Sequence, residues 1–285
     1  MIDQQYEKEN LSKRQAGRED MPLVVLAERV AGALRRQSQY LFPPLIVLLT
    51  LLLWTLIVRL GDYPTFILPG PGDVYRKLAL VLVDGLLWRH ARITLVEISG
   101  GLALGLSAAT ALGYGMAKSR ALERFLAPYI VASQSIPIVA LAPLLVIWFG
   151  TGRLSKVLVC ALTIFFPMLV NTIVGVRSVD PDLAALIRSL KATRWQTFAM
   201  LEVPSALPML LGGLKVSVTL SVIGAVVGEF VAADRGLGFL INVARGNFDT
   251  PLMFVALLTL VVMALLLYLV VVLAESLLLH RRRSR

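Results

Sequence analysis

The chain has 285 residues, of which 57% are hydrophobic and 16% are charged, and its formal net charge is +10. Soluble domains are about 45–50% apolar and about 25% charged, so this composition excludes an ordinary water-soluble fold and indicates a protein of the lipid bilayer. The basic residues lie at the ends of apolar runs rather than in stripes with aromatic residues, so we expect no nucleic-acid partner.

The first 40 residues are polar and charged and predict an N-terminal arm, ahead of a membrane domain over residues 41–277. Because the hydrocarbon core is about 30 Å thick, about 20 apolar residues can cross it as a helix. The apolar runs predict an all-α, polytopic transmembrane bundle of about six spans. These are Leu41–Leu60, Ile93–Ala117, Phe125–Phe149, Ser155–Val176, Met209–Ala233 and Leu252–Ala274.

A turn cluster over residues 68–72 separates the first two spans and stops any helix there. Asp73 can cap a new helix after it. Apolar residues then recur at helical spacing among charged ones, so we predict a short amphipathic helix near a membrane surface. Its apolar positions are Val74, Leu78, Val81, Leu82 and Gly85.

The second, third and fourth spans carry residues that shape helix packing. Small residues in the second span predict close approach of helix backbones; they are Gly101, Gly105, Ser107, Ala108, Ala109, Gly113 and Gly115. Prolines are predicted to kink or interrupt the third and fourth spans, because proline removes a backbone donor; they are Pro128, Pro137, Pro143 and Pro167.

The distribution of Lys and Arg between alternate loops predicts the orientation of the chain. The arm, the loops after the second and fourth spans, and the basic tail over residues 278–285 carry 18 of them, against 8 on the opposite side. Cytoplasmic loops of membrane proteins carry the excess of basic residues. We therefore expect both termini and the loop over residues 177–208 to be cytoplasmic, in a cell or inner membrane.

Metal, redox and nucleotide sites find no support in the sequence. Cys160 is the single cysteine, and His90 and His280 lie far apart, so we expect no metal site. The nearest resemblance to a phosphate-binding loop, residues 113–119, lacks the required glycines. We expect no cofactor and no ATPase site within the chain.

The loop over residues 177–208 is patterned in a way that a connector does not need. Asp180-Pro181-Asp182 is a helix-start signal, and an apolar face follows it. After a break near Lys191, a second apolar face is predicted to end at Val203-Pro204 and Pro208. The first face comprises Leu183, Leu186, Ile187 and Leu190, and the second Trp195, Phe198, Ala199 and Leu201.

Two short amphipathic helices without a core of their own indicate either of two arrangements. The apolar faces could fill a groove on a soluble partner, or they could lie on the bilayer or under their own bundle. The pattern alone leaves both open.

The same loop resembles the coupling motif of binding-protein-dependent ABC importer permeases. That motif reads Glu-Ala-Ala, three residues, Gly, nine residues, Ile, one residue, Leu-Pro. The matching positions here are residues 185–187, Lys191, Leu201 and residues 203–204, without the glutamate and the glycine. The resemblance extends over roughly residues 60–275 to the nitrate, sulfonate and taurine branch, with its thiamine-precursor and riboflavin relatives. It rests on SQSIPIVALAPLLVIWFGTG, FFPMLVNT, GVRSVDP, GEF…GLGFLI and LPGP…LWRH…TLVEISGG.

The resemblance implies a type I ABC importer permease whose coupling helices dock into a cytoplasmic ATPase subunit, present in two copies. It also implies a second permease copy, as a homodimer, and an external solute-binding protein. The residues implied at or near the ATPase contact are Asp182, Leu183, Leu186, Lys191, Ala192, Trp195 and Pro204. A left-handed turn costs lysine about 1 kcal/mol, so Lys191 in place of glycine predicts a turn that is built differently.

Polar residues within the spans are candidates for the translocation path, because charge at membrane depth is rare. Glu229 and Asn171 lie deep within spans, and Ser133, Gln134 and Ser135 could join them. Hydrogen bonding between helices is the alternative role. Lys215 and Glu275 are expected near the ends of their spans.

The function expected is that of an importer permease, with a self-sufficient secondary transporter as the alternative and a membrane-embedded enzyme as the third hypothesis. A secondary transporter would show an internal inverted repeat, and an enzyme would need clustered titratable groups on facing spans. The resemblance implies a substrate that is an oxyanion such as nitrate, a sulfonate such as taurine, or a vitamin-type heterocycle. The sequence of residues 134–144 is slightly more similar to that of the vitamin relatives.

Overall fold

The computed structural model describes residue 42 and residues 44–283, with side chains described through residue 278. The predicted arm over residues 1–40 lies outside the described residues, as do the side chains of the tail arginines. Every regular element that is described is a helix. The chain divides into one unit ending at Tyr63 and a second beginning at Pro64.

The first unit contains helix α1, Pro44–Leu60, which corresponds to the first predicted span. At about 1.5 Å per residue this helix extends about 26 Å, less than the hydrocarbon core of about 30 Å, so it is shorter than the four runs of the second unit that are long enough to cross. The hydroxyls of Thr50 and Thr55 donate to the carbonyls of Ile46 and Leu51, so both polar groups are satisfied within the helix.

The second unit contains the remaining helices, and four runs in it are long and apolar enough to cross a membrane. These runs are Leu86–Lys118, Arg153–Arg177, Arg194–Ala232 and Thr250–Leu278. In chain order the elements are α2 (Pro71–Val83), α3 (Leu86–Lys118), α4 (Arg120–Gln134), α5 (Ile138–Phe149), α6 (Arg153–Arg177), α7 (Pro181–Ser189), α8 (Arg194–Thr197), a π-helical turn (Phe198–Glu202), α9 (Val203–Ala232), α10 (Leu237–Gly246) and α11 (Thr250–Arg283).

The third predicted span is not a continuous helix but a pair, α4 and α5, bent by 97°. The break falls at Pro137, which precedes the first residue of α5. Pro128, Pro143 and Pro167 instead lie inside helices, so Pro167 does not interrupt the fourth span as the sequence allowed. The bent pair gives a fifth crossing if it counts as one span.

Helix α6 forms the centre of the second unit, packed between α3 and α9. The predicted small-residue face of α3 is confirmed where it meets α6. A Cβ added at Gly105 would lie 2.7 Å from the Ala161 carbonyl oxygen, and one at Gly113 would lie 3.0 Å from the Leu169 carbonyl oxygen. Close backbone approach supplies the packing contacts on which membrane helices depend.

Helix α2 is the predicted amphipathic helix. Gly70 precedes it and Pro71 begins it, while the Asp73 carboxylate accepts from the Gly70 amide at 3.2 Å, so Asp73 caps from the third position rather than the first. Val74 is one of its two buried residues. Lys77 forms a 2.6 Å ion pair with Asp249, which ties α2 to the start of α11.

Candidate functional site

The segment from Asp180 to Glu202, here called the coupling segment, begins with the helix-start signal seen in the sequence. The Asp180 carboxylate accepts from the Asp182 amide at 2.8 Å, and Pro181 is the first residue of α7. This hydrogen bond satisfies one of the amides that the first helical turn leaves without partners, and Pro181 has no amide to satisfy.

The turn after α7 is built on Lys191 in a left-handed conformation, with φ of 54°. The Ala192 amide donates to the Ile187 carbonyl at 3.3 Å, and the Lys191 amide donates to the Arg188 carbonyl at 3.0 Å. This pair of bonds is the Schellman motif, which glycine usually completes. The prediction of a differently built turn is therefore wrong, because lysine adopts the same backbone conformation at a cost in strain.

The second helix of the coupling segment does not end at the prolines but continues into a span. Thr193 and Gln196 form a capping box, with the Gln196 side chain 2.8 Å from the Thr193 amide. The Val203 amide then donates to the Phe198 carbonyl across the π-helical turn. This wider turn comes just before Pro204, which lacks a backbone donor and would break an α-helical ladder. Pro204 and Pro208 thus lie at the start of α9 rather than at a helix end.

The coupling segment presents a broad apolar surface to its surroundings. Leu186 is 54% exposed, Leu190 71% and Trp195 72%, and Leu183 is also exposed. Asp182 and Lys191 are exposed as well, whereas Ala192 and Pro204 are half-buried. Six of the seven predicted contact residues therefore lie on the coupling segment, and Pro204 follows it in the first turn of α9.

The base of the coupling segment is fixed to α3 by contacts that the sequence did not reveal. The Phe198 ring lies 5.5 Å from the Trp195 ring and 5.4 Å from the Tyr114 ring, between centroids. Buried Glu202 accepts a 2.8 Å hydrogen bond from the Tyr114 hydroxyl and pairs with Lys118. A lone carboxyl between Leu201 and Val203 was the one signal available in the sequence.

A second ion pair, made by the end of α6 just before the coupling segment, reaches the bent helix pair. Arg177, the last residue of α6, forms two hydrogen bonds with Glu123 of α4, at 2.6 and 2.9 Å. Such a bidentate geometry restrains both helices more than a single contact does. A displacement of the coupling segment would therefore reach α3 through Glu202 and α4 through Arg177.

A cavity of about 700 Å³ lies beside the break between α4 and α5. Ser133 and Gln134, two predicted path residues, line it together with aromatic side chains from α4 and α6. Ser135 is exposed at the break, and its hydroxyl donates to the Val131 carbonyl at 3.3 Å. The aromatic lining consists of Tyr129, Phe165 and Phe166.

Asn171 and Glu229 lie apart from that cavity. The Asn171 amide donates to the Pro167 carbonyl at 2.8 Å, and its side chain packs on Gly213 of α9. Glu229 is 1% exposed. Contact with a solute needs an accessible side chain, so this burial favours helix packing, the alternative that the sequence left open; the path role of Glu229 stays a prediction.

The polar groups around Glu229 join α9, α3 and the start of α10. Thr94 donates to the Glu229 carboxylate at 2.6 Å and accepts from the Leu237 amide at 2.8 Å. The Gly238 amide also donates to Glu229. Burying carboxyl and amide groups is costly unless they are hydrogen-bonded. No sequence motif indicates that Thr94 completes this set.

Comparisons with known proteins agree with this architecture. The family model described as the binding-protein-dependent transport system inner membrane component matches residues 101–284. The chain is 46% identical over 264 residues to the riboflavin transport system permease protein RibX of Chloroflexus aurantiacus, covering 93% of this chain and 98% of that protein. It is 36% identical over 252 residues to the formylaminopyrimidine transport permease protein ThiX of Halalkalibacterium halodurans, covering 88% of this chain and 100% of that protein.

Two further similarities are more distant. Identity to the taurine transport system permease protein TauC of Escherichia coli is 32% over 239 residues, covering 82% of this chain and 86% of that protein. The crystal structure of an amino acid ABC transporter with histidines matches with a TM-score of 0.55 at 17% identity, over 72% of this chain and 97% of that one, a likeness of fold alone. The chain belongs to the binding-protein-dependent transport system inner membrane component family and is a multi-pass permease of the ABC importer type.

Proposed function

We propose that the chain translocates a small solute while an ATPase subunit docks on the coupling segment. The main support is the exposed apolar surface of Leu186, Leu190 and Trp195. Ion pairs to α3 and α4 lie on either side of this surface in the chain. An exposed tryptophan within an apolar surface is the kind of residue that dominates binding energy at protein interfaces. Asp182, Leu183, Lys191, Ala192 and Pro204 complete the proposed contact.

The proposed assembly contains two permease copies, two cytoplasmic ATPase subunits and one extracytoplasmic solute-binding protein. Closure of the ATPase pair would pull on the coupling segments, and the ion pairs at Glu202 and Arg177 would carry that movement into the spans. Rigid-body movement of packed helices is a common form of alternating access. Family membership supports this assembly over a self-sufficient secondary transporter or a membrane enzyme.

The docking proposal is tested with Trp195→Ala and Leu186→Asp in the assembled transporter. Because both side chains are exposed, the variants should reach the membrane at normal levels. Solute uptake and solute-stimulated ATP hydrolysis should each fall on the order of tenfold or more. Tyr75→Ala is the matched control, since Tyr75 is also 72% exposed but lies on α2. Normal uptake by both coupling-segment variants would refute the docking proposal.

We further propose that the solute is an aromatic heterocycle of the riboflavin or thiamine-precursor type. The cavity beside the bent pair has a volume within the range of about 300–1,000 Å³ typical of small-molecule sites. Tyr129 and Phe165 offer faces for ring stacking, while Ser133 and Gln134 offer hydrogen bonds to ring heteroatoms. A taurine-like sulfonate would call for cationic side chains, and none is in this lining. The permeases of riboflavin and formylaminopyrimidine transport are among the similar proteins.

The substrate proposal is tested by uptake of labelled riboflavin, a labelled pyrimidine precursor and labelled taurine in cells that carry the complete transporter. A heterocycle should be accumulated, and Gln134→Ala should lower its uptake. Asn171→Ala, outside the cavity, tests whether the path extends to the α6–α9 contact. Accumulation of taurine without either heterocycle would contradict the proposal.

A further inference from the structure

At the end of the bundle opposite the coupling segment, three arginines surround one open cavity. Arg89 and Arg92 come from the first turns of α3, and Arg153 is the first residue of α6. They line a cavity of about 460 Å³ together with Trp88, and its lining contains no acidic residue. All three arginines are exposed, and none has a side-chain ion pair or hydrogen bond among the described residues.

Three unpaired positive charges in one cavity repel each other, so the cavity is suited to an anion. Guanidinium groups match the geometry of phosphate oxygens and can bind them in pairs. The start of α6 adds the positive end of a helix dipole beside Arg153, and Gly152 supplies no side-chain cap there. The chemistry of the cavity therefore favours a phosphate group.

A separate apolar groove continues from this cavity along the spans. It lies between α3 and α11, has a volume of about 530 Å³, and shares Trp88 and Arg92 with the basic cavity. Leu95, Val262 and Leu266 line it at greater depth. Leu266 is about 24 Å along α11 from Thr250 at about 1.5 Å per residue, so the groove reaches well into the hydrocarbon region.

We propose that this composite site binds an anionic phospholipid of the surrounding membrane. The phosphate lies among Arg89, Arg92 and Arg153, Trp88 lies at the headgroup level, and an acyl chain lies in the groove between α3 and α11. Tryptophan is enriched at this depth in membrane proteins. A soluble protein with acidic residues could meet the arginines but could not enter a groove at membrane depth, which is why a lipid fits both parts of the site.

The proposal is tested with the assembled transporter in vesicles containing lipids brominated on the acyl chain. Bromine quenches tryptophan fluorescence at short range, and subtracting the signal of Trp88→Phe isolates Trp88 from Trp54, Trp148 and Trp195. Brominated phosphatidylglycerol should quench Trp88 more strongly than brominated phosphatidylcholine. The triple variant Arg89→Gln/Arg92→Gln/Arg153→Gln removes all three charges. It should weaken the preference for phosphatidylglycerol by about fivefold for each arginine replaced.

Two controls separate the effect of lost charge at the site from an effect of misfolding. The corresponding triple lysine variant keeps the charge and should retain most of the preference, because lysine also binds phosphate. Arg245→Gln removes an exposed arginine on α10, outside the site, and should change nothing.

Three results would overturn the proposal. Equal quenching by the two lipids would mean that the site does not select an anionic headgroup. Weak quenching by both would mean that a protein segment covers the groove. An unchanged lipid preference in the triple glutamine variant, with loss of binding-protein-stimulated ATP hydrolysis, would assign the arginines to a protein contact.

Discussion

Lys191 holds the left-handed turn between α7 and α8, with φ of 54°. This conformation strains a residue with a Cβ by about 1–2 kcal/mol, and glycine avoids the strain at some cost in chain entropy. Lys191→Gly should therefore raise the free energy of unfolding by up to about 1 kcal/mol. Thermal unfolding of the purified protein measures it. Leu190→Gly, at a residue with φ of −77°, should be destabilising, and a loss of stability in Lys191→Gly would contradict the assignment.

Thr94 is a second residue whose replacement should change stability, because of the hydrogen bonds its hydroxyl makes. Thr94→Val keeps the shape but removes the hydroxyl that joins Glu229 to the Leu237 amide. The loss leaves buried groups without partners and should cost about 1–3 kcal/mol of stability. Thr219→Val is the matched control, because the exposed Thr219 hydroxyl bonds to the Lys215 carbonyl of its own helix and to no other group in the part of the chain that the structure describes. Equal stability of the two variants would show that the Thr94 contacts are unimportant.

Residues with local partners could be predicted from the sequence, and residues with distant partners could not. The cap at Asp180 bonds to Asp182, two residues away, so its role follows from a short motif. Glu202 and Thr94 find partners 84 and 135 residues away. Those pairs depend on which helix faces meet, and hydrophobic periodicity does not specify that choice in chains that are apolar on most sides.

At the scale of elements, proline had two different outcomes. Pro137 lies at the break where α4 and α5 are bent by 97°. Pro204 instead follows a π-helical turn, and the helix continues into α9. A missing backbone donor predicts a disturbance in both cases. Whether the chain breaks or widens its turn depends on the packing around it, so the sequence located the prolines without deciding their effect.

The contact between α3 and α6 depends on glycine at its closest point. Gly105→Ala would place a Cβ 2.7 Å from the Ala161 carbonyl oxygen, and overpacking of this kind costs about 1–3 kcal/mol. Gly212→Ala is the matched control, since an added Cβ there meets no atom within 4 Å. Thermal unfolding should separate the two variants, and a stable Gly105→Ala would show that α3 and α6 are not in close contact.

At the scale of the whole molecule, the orientation in the membrane follows from the basic residues. We propose that the coupling segment and both termini are cytoplasmic. A membrane-impermeant maleimide should then label Arg235→Cys in intact cells, and should label Arg120→Cys, exposed at the start of α4, only after the membrane is opened. Native Cys160 is buried and serves as the unlabelled background. The reverse labelling pattern would contradict the orientation.

The dependence of transport on a separate ATPase is tested most directly in reconstituted vesicles. The chain is incorporated alone, with its ATPase partner, and with the partner, ATP and the solute-binding protein together. Accumulation of solute only in the complete mixture is the expected result. Accumulation by the chain alone, driven by an ion gradient and indifferent to ATP, would contradict the role assigned to the coupling segment.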